Sequence, residues 1–282
     1  MANANPIIKP EPGAFRKTVF ATCGIFGGYR WERARLLVDK AADDLSFSDG
    51  TVLLSKAASL LERAMREQRS NRFVGPDSQE GYARKEKQAA DLAIIYSALA
   101  DSHSLEGNHG LSAIFIYKKA LAHKTRIDAL SRLVGREGNE KTISEVRSMM
   151  FERLRAASSI CSELVEFTTS GESKNLATAA KWLAQKAKVN LTLAQELMGL
   201  GIEHGVEADD LANAALKDLE QARSNTLRCL EAPVNSSRVT QRELYGILSE
   251  IHGLKAMALT MLDEPGADEE RRKSAQFLKK SH

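Results

Sequence analysis

Apolar side chains recur along this chain at the spacing of one face of an α-helix. In the stretch 30–46 they follow one another at intervals of three or four residues, at Ala34, Leu37, Val38, Ala41 and Leu45. This periodicity predicts an amphipathic helix. The same pattern, interrupted by turns that contain glycine, proline or serine, predicts further helices near 51–70, 79–104, 111–134, 142–168, 208–230 and 240–262.

The stretch 176–200 is also rich in helix-forming residues, and its pattern leaves two alternatives open. It forms either one helix or a pair of helices with a tight bend near Val189-Asn190. No proline occurs between Pro76 and Pro233, and an interior proline would break a helix at a cost of about 3 kcal/mol. Runs that alternate β-branched or aromatic with polar residues are nearly absent. The sequence therefore predicts an all-α fold of about nine or ten helices.

Turn and cap residues divide the chain into segments. Residues 1–17, with three prolines, have the composition of a flexible arm. The glycine-containing linker 135–139 predicts a boundary between helical subdomains over 18–134 and 140–264. Residues 265–282 are a charged tail that frays or forms a short terminal helix. Thr240 and Glu243 have the spacing of a capping box, which marks a helix start.

Charge and cysteine content narrow the class of protein. The chain has 40 basic and 37 acidic residues and a net charge of +3, which does not suggest a strongly basic nucleic-acid-binding protein. The three cysteines, Cys23, Cys161 and Cys229, are odd in number and far apart, which suggests neither a disulfide framework nor a zinc site. The sequence contains no run of roughly 18 apolar residues, so it predicts no membrane-spanning helix. We expect a cytoplasmic protein.

The sequence contains few of the residue patterns that mark catalysis or the binding of a metal or cofactor. The Glu-x-x-His spacing of di-iron bundles occurs only at Glu106 and His109, inside a glycine-marked turn. The six histidines are scattered, and no Gly-x-Ser-x-Gly motif marks a nucleophile. We therefore expect no enzyme activity, no metal and no cofactor. An unrecognised α-helical enzyme stays open as an alternative.

One helical packing pattern recurs: a small residue, a larger one four positions later, and a small one three positions after that. Such spacing lets a helix approach its neighbour closely. The pattern occurs at Ala57-Leu61-Ala64, Ala113-Tyr117-Ala120 and Ala215-Leu219-Ala222. The weakest copy, Ala180-Ala184-Ala187, has alanine at its central position as well.

This pattern resembles the tetratricopeptide repeat, a helical hairpin of about 34 residues. The best copy covers residues 93–124, with Tyr96 at the family's tryptophan position, Leu99 and Ala100 at Leu-Gly, His103 at its tyrosine, Gly107 at the turn, and then Ala113, Tyr117 and Ala120. A weaker copy runs through Ala194, Leu197, Met198, Gly201 and Gly205 to Ala215, Leu219 and Ala222. The resemblance implies a stack of helical hairpins, and an irregular α-helical bundle is the alternative.

The family binds a partner peptide or helix in a groove lined by the first helices of its hairpins. Positions of this chain that match that groove are Ser97, Asp101 and Gln195. The resemblance therefore implies a non-catalytic adaptor or assembly subunit whose partner is another protein, with oligomerisation also possible.

Basic residues support a further alternative. Arg63, Arg66, Arg69 and Arg72 lie in one stretch, and residues 1–140 hold 21 basic and 17 acidic side chains. The alternative is that this half of the chain binds nucleic acid or an anionic membrane. Interleaved glutamates favour an ordinary solvated face, so we consider nucleic acid an unlikely partner.

Overall fold

Helices make up nearly all of the part of the chain that the structure describes. The structure, a computed structural model, describes residues 27–42, 47–68, 78–133, 139–170, 175–231 and 240–282. Within these ranges there are nine α-helices, one short 3₁₀ helix and no strand, which confirms the predicted all-α fold. The predicted arm over 1–17 lies outside the described residues, as do Cys23, Arg69, Arg72 and residues 135–138 of the predicted linker.

Every helix predicted from the apolar periodicity is present, with ends that differ by a few residues. The helices are α1 (Gly27–Ala42), α2 (Phe47–Gln68), α3 (Gln79–Leu105), α4 (His109–Ser131), α5 (Asn139–Thr169), α6 (Leu176–Met198), α7 (Gly205–Glu231), α8 (Gln241–Met261) and α9 (Ala267–Ser281). The 3₁₀ helix spans Ile202–His204, directly before α7.

Helix α6 settles the alternative left open for residues 176–200, because it is a single uninterrupted helix. Asn190, one of the two residues at the suspected bend, lies buried in its middle. Its side-chain oxygen accepts a hydrogen bond from Ser158 Oγ of α5 at 2.7 Å. The polar side chain is thus satisfied by a neighbouring helix, and the backbone has no need to bend around it.

The predicted capping box is confirmed at the start of α8. Glu243 N donates to Thr240 Oγ1 at 3.3 Å, and Thr240 N donates to Glu243 Oε2 at 2.8 Å. The hydrogen bonds from the backbone and side chain of Thr240 lower the pKa of Glu243. At the start of α3, Ser78 Oγ accepts from Gly81 N at 3.0 Å. These caps satisfy N–H groups that a helix start leaves without an internal partner.

The chain forms two compact units, Met1–Met150 and Phe151–His282. The division falls inside α5, later than the linker predicted at 135–139, because the first residues of α5 pack within unit 1. There Asn139 Nδ2 donates to the carbonyl oxygens of Leu130 and Leu133 at 3.3 and 3.1 Å. The later part of α5 contributes Ser158 and Val165 to contacts within unit 2.

In unit 1, helices α3 and α4 form an antiparallel pair. Arg132 Nη1 donates to Tyr82 Oη at 3.3 Å, Arg126 Nε donates to Glu86 Oε1 at 2.7 Å, and the ring centroids of Tyr96 and Phe115 lie 6.0 Å apart. Residue numbers therefore rise along α3 as they fall along α4. Helices α1 and α2 pack on this pair through a shared apolar core that includes Ala34, Ala57, Leu61, Tyr96 and Leu99.

In unit 2, helices α6, α7 and α8 share one apolar core, and α9 packs antiparallel to α8. The core includes Ala180, Leu191, Leu219, Leu244 and Ile251. Along the α8–α9 pair the contacts are Tyr245 with Phe277, Ser249 with Ser274 and His252 with Glu270. Residues 265–282, predicted as a charged tail, thus include a helix that packs on the unit.

The recurrent small-large-small triplets lie in the interior. All twelve of their side chains are at most 8% exposed, and Tyr96 and Leu99 are equally buried. The triplets of α6 and α7 belong to the same core, so both helices of this pair carry the pattern. In the tetratricopeptide family the triplet belongs to the second helix of each hairpin, and the Ala180 copy departs from that rule.

We predict that enlarging a triplet alanine destabilises the protein, while enlarging its exposed neighbour does not. Ala215 of α7 is buried and Ala214 is exposed, which gives a matched pair one residue apart. Ala215→Leu should lower the free energy of unfolding by about 1–3 kcal/mol because the added atoms meet a packed helix. Ala113→Leu in α4 should do the same in unit 1.

The measurement is urea denaturation followed by circular dichroism. Ala214→Leu should stay within about 0.5 kcal/mol of the original protein. Equal stability of the Ala214→Leu and Ala215→Leu variants would show that the triplets do not mark close helix contacts.

Candidate functional site

Two of the three predicted binding residues lie on α3 of unit 1. Ser97 is half-buried, and its hydroxyl accepts a hydrogen bond from Lys119 Nζ of α4 at 3.0 Å. Asp101 is exposed one helical turn further on. Gln195 is exposed on α6 and belongs to unit 2. The structure therefore brings Ser97 and Asp101 together on one helix, and Gln195 forms part of the other unit.

Two large apolar side chains lie in water on the same side of α3 as Asp101. Ile94 is 65% exposed and Leu105 is 80% exposed. Residues 94, 97, 101 and 105 follow one another at steps of three or four, so they share one face of the helix. We call Ile94, Ser97, Asp101 and Leu105 the α3 face.

The buried residues of α3 point the other way. Leu92, Tyr96 and Leu99 lie in the core of unit 1, roughly opposite the α3 face on the helical circumference. The resemblance identified Ser97 and Asp101 but missed Ile94 and Leu105. Ile94 lies outside the apolar stripe from which this helix was predicted. Its position off that stripe is the sequence feature that could have identified it as an exposed apolar residue.

Several basic residues of unit 1 are engaged with acidic partners. Arg84 Nη2 lies 3.1 Å from Glu80, Arg126 Nε 2.7 Å from Glu86 and Lys118 Nζ 3.3 Å from Glu62. Glu62 also accepts a hydrogen bond from the Tyr96 hydroxyl. Burial of Tyr96, together with this bond, raises the pKa of its hydroxyl above the ordinary value. These pairings leave less positive charge available for phosphate groups.

A buried histidine and a buried carboxylate meet between α8 and α9. His252 Nδ1 is hydrogen-bonded to Glu270 Oε2, and both side chains are almost fully shielded from water. The Phe277 ring stacks on the imidazole, with centroids 5.3 Å apart. Lys273 Nζ and Lys255 Nζ lie 3.2 and 3.8 Å from the same carboxylate. Glu270 is the only fully buried residue of α9.

This pair has the geometry of the histidine and acid of a catalytic triad, so its surroundings matter. Ser249 and Ser274 lie close by, but Ser249 Oγ donates to the Ser274 carbonyl and Ser274 Oγ to the Ser249 carbonyl, at 3.0 and 2.8 Å. Among the described residues, no hydroxyl or thiol hydrogen-bonds to His252. A nucleophile beside the imidazole is what such chemistry requires. The observed contacts instead attach α9 to α8.

The described cysteines are not placed for nucleophilic chemistry. Cys161 is fully buried in α5, and burial raises the pKa of its thiol to about 12. Burial also raises the pKa of Cys229. A thiol that stays protonated at neutral pH is a poor nucleophile and a poor metal ligand.

The described ranges contain no group of three or more histidine, cysteine, aspartate or glutamate side chains arranged to hold a metal ion. Glu106, of the Glu-x-x-His spacing, is instead 3.1 Å from His103 Nδ1. No helix in those ranges has the length and apolarity needed to cross a membrane.

Comparison with known proteins adds no relative: no family model matches the chain, and no curated protein and no solved structure is significantly similar to it.

The attachment of α9 should depend on pH through Glu270. Burial alone would raise the pKa of Glu270, but hydrogen bonds from His252 and Lys273 and the charge of Lys255 together lower it below the ordinary value. A carboxyl group with a lowered pKa stabilises the folded state above its unfolded pKa, about 4.3 for glutamate. That contribution is lost as the pH falls through the lower, folded value.

We predict that α9 loses hydrogen-exchange protection, corrected for intrinsic rates, as the pH falls below about 4. Glu270→Gln should weaken protection of α9 at neutral pH by roughly 1–3 kcal/mol, because it removes the charged partner of buried groups. The matched change Glu269→Gln, at an exposed neighbour, should alter protection little. Equal effects of the two changes would contradict the role given to Glu270.

Proposed function

We propose that this protein is a non-catalytic interaction adaptor or assembly subunit that binds a peptide or helix of a partner protein along the α3 face. The observation that carries the proposal is the exposure of Ile94 and Leu105 on one side of a helix whose other side is packed. Single exposed apolar residues are common on protein surfaces. Two on one helical face, with Asp101 between them, form a strip suited to a partner segment.

The antiparallel pairing of α3 with α4 supports the proposal. The contact between Lys119 and Ser97 ties the α3 face to α4. A face held in place in this way loses little conformational entropy when a partner binds. In the resemblance to the tetratricopeptide repeat, α3 is the first helix of the best hairpin, and first helices are those that bind partners in that family.

The proposal predicts which substitutions weaken partner binding. Replacing Ile94 with Ser, Ser97 with Ala and Asp101 with Asn together should reduce partner affinity by about ten-fold or more, because apolar contact and polar complementarity are both lost. The fold should persist, since none of the three side chains is fully buried. Gln195→Ala, in unit 2, tests separately whether that position contributes.

The measurement is affinity capture from the native cell lysate at moderate and high salt, followed by analysis of the captured protein and nucleic acid. Leu278→Ser, which changes an exposed apolar residue of α9, is the matched control. A stoichiometric protein retained at high salt by the original protein and the control, but lost from the triple variant, is the expected result. Retention by the triple variant would contradict binding at the α3 face, and nucleic acid released by salt would favour the basic-surface alternative.

A further inference from the structure

The turn between α6 and α7 presents apolar side chains to water. Ile202 is 99% exposed, Val206 is 74% exposed and Met198 is 44% exposed. Met198 is the last residue of α6, Ile202 is the first residue of the 3₁₀ helix and Val206 is the second residue of α7. We call these three residues the α6–α7 tip.

Turn geometry does not account for the apolar character of this tip. The α3–α4 turn consists of Glu106, Gly107 and Asn108, and the α8–α9 turn includes Asp263 and Glu264. These turns use glycines at positive φ, Gly107 at 74° and Gly266 at 102°, and the α6–α7 turn likewise uses Gly201 at 127°. The α3–α4 and α8–α9 turns reverse the chain with a glycine and polar residues, although the exposed Leu105 directly precedes the first of them. The reversal itself therefore requires no apolar residue at position 202.

The backbone of the tip is held by local hydrogen bonds. Leu200 N donates to the Leu197 carbonyl at 2.9 Å, and His204 N donates to the Gly201 carbonyl at 3.2 Å. Gly205 N donates to the Ile202 carbonyl. Because this backbone is already ordered, little conformational entropy is lost when a partner contacts Ile202.

The sequence around the tip is acidic. No lysine or arginine occurs between Lys188 and Lys217, a stretch that contains five acidic residues: Glu196, Glu203, Glu207, Asp209 and Asp210. Glu207 accepts a hydrogen bond from Arg155 at 3.0 Å. Glu203, Asp209 and Asp210 are exposed. Negative charge around an apolar patch attracts a cationic partner and repels anionic surfaces.

We infer that the α6–α7 tip binds a cationic segment of a partner protein, with apolar side chains of that segment packing on Ile202 and Val206. The inference rests on the proposed function in that it treats the chain as an interaction subunit. It assigns a second surface, in unit 2, and the chemical class of its ligand.

The experiment uses the full chain and two synthetic amphipathic peptides of equal length. One has leucine at every third or fourth position and lysine elsewhere, and the other has glutamate in place of each lysine. Fluorescence anisotropy of labelled peptide measures binding. The lysine peptide should bind and the glutamate peptide should not, and binding of the lysine peptide should weaken with rising salt.

Substitutions then separate the apolar from the charged contribution. Ile202→Ser with Val206→Ser should weaken binding of the lysine peptide at least about ten-fold, because the apolar contact is lost. Asp209→Asn with Asp210→Asn should weaken it mainly at low salt. Leu278→Ser, at another exposed apolar residue, should leave it unchanged. Circular dichroism and thermal melting should show that these surface variants keep their fold.

Several results would overturn the inference. The first is that the lysine peptide does not bind. The second is that the glutamate peptide binds as tightly as the lysine peptide. The third is that the Ile202→Ser, Val206→Ser variant binds the lysine peptide as tightly as the original protein does. Self-association of the original protein that this variant abolishes would assign the tip to a second copy instead. The variant Ile94→Ser changes only the α3 face and separates the two proposals. If it still binds the lysine peptide but no longer captures a protein from the lysate, the two surfaces act independently.

Discussion

Close approach of helices through small residues is the constraint on which this structure depends. Alanine at both ends of a triplet lets a larger central residue of the same helix reach a neighbour, as Leu219 does in the core of unit 2. In the α6 copy the central residue, Ala184, is itself alanine. A larger residue at either end would separate the helices and leave unfilled space in the core. The same requirement explains why a quarter of the chain can be alanine and leucine, and why aromatic residues make up only 6% of it.

Burial of the helix faces that carry the triplets determines which surfaces remain to contact other molecules. Helix α9 is attached to α8 through a buried histidine–glutamate contact and two serines, with Phe277 stacked on the histidine. Lys118 and Arg126, two of the four lysine and arginine side chains of α4, are engaged by acids of α2 and α3. Ile94 and Leu105 of the α3 face and Ile202 and Val206 of the α6–α7 tip are, with Phe167, the most exposed large apolar side chains of the described chain. An interaction role gives the grouped ones a physical reason.

Helix positions were predictable because each helix buries one face, and burial imposes a period on the sequence. The capping box at Thr240 was predictable because both of its residues are local. Contacts between distant residues were not: His252 and Glu270 meet only when α9 folds back on α8. Likewise, the hydrogen bond that Asn190 of α6 accepts comes from Ser158 of another helix. Ser97 and Asp101 came from a family resemblance, whereas Ile94 and Ile202 emerged only once exposure was known.

The antiparallel register of the α3–α4 pair is the central claim, because the α3 face depends on it. The most direct test is a nuclear Overhauser measurement on protein with labelled aromatic side chains. The account predicts cross-peaks from the Phe115 ring to the rings of both Tyr96 and His103, whose centroids lie 6.0 and 5.4 Å away. A Phe115 ring that shows cross-peaks to neither of them would contradict the pairing, and with it the surface assigned to partner binding.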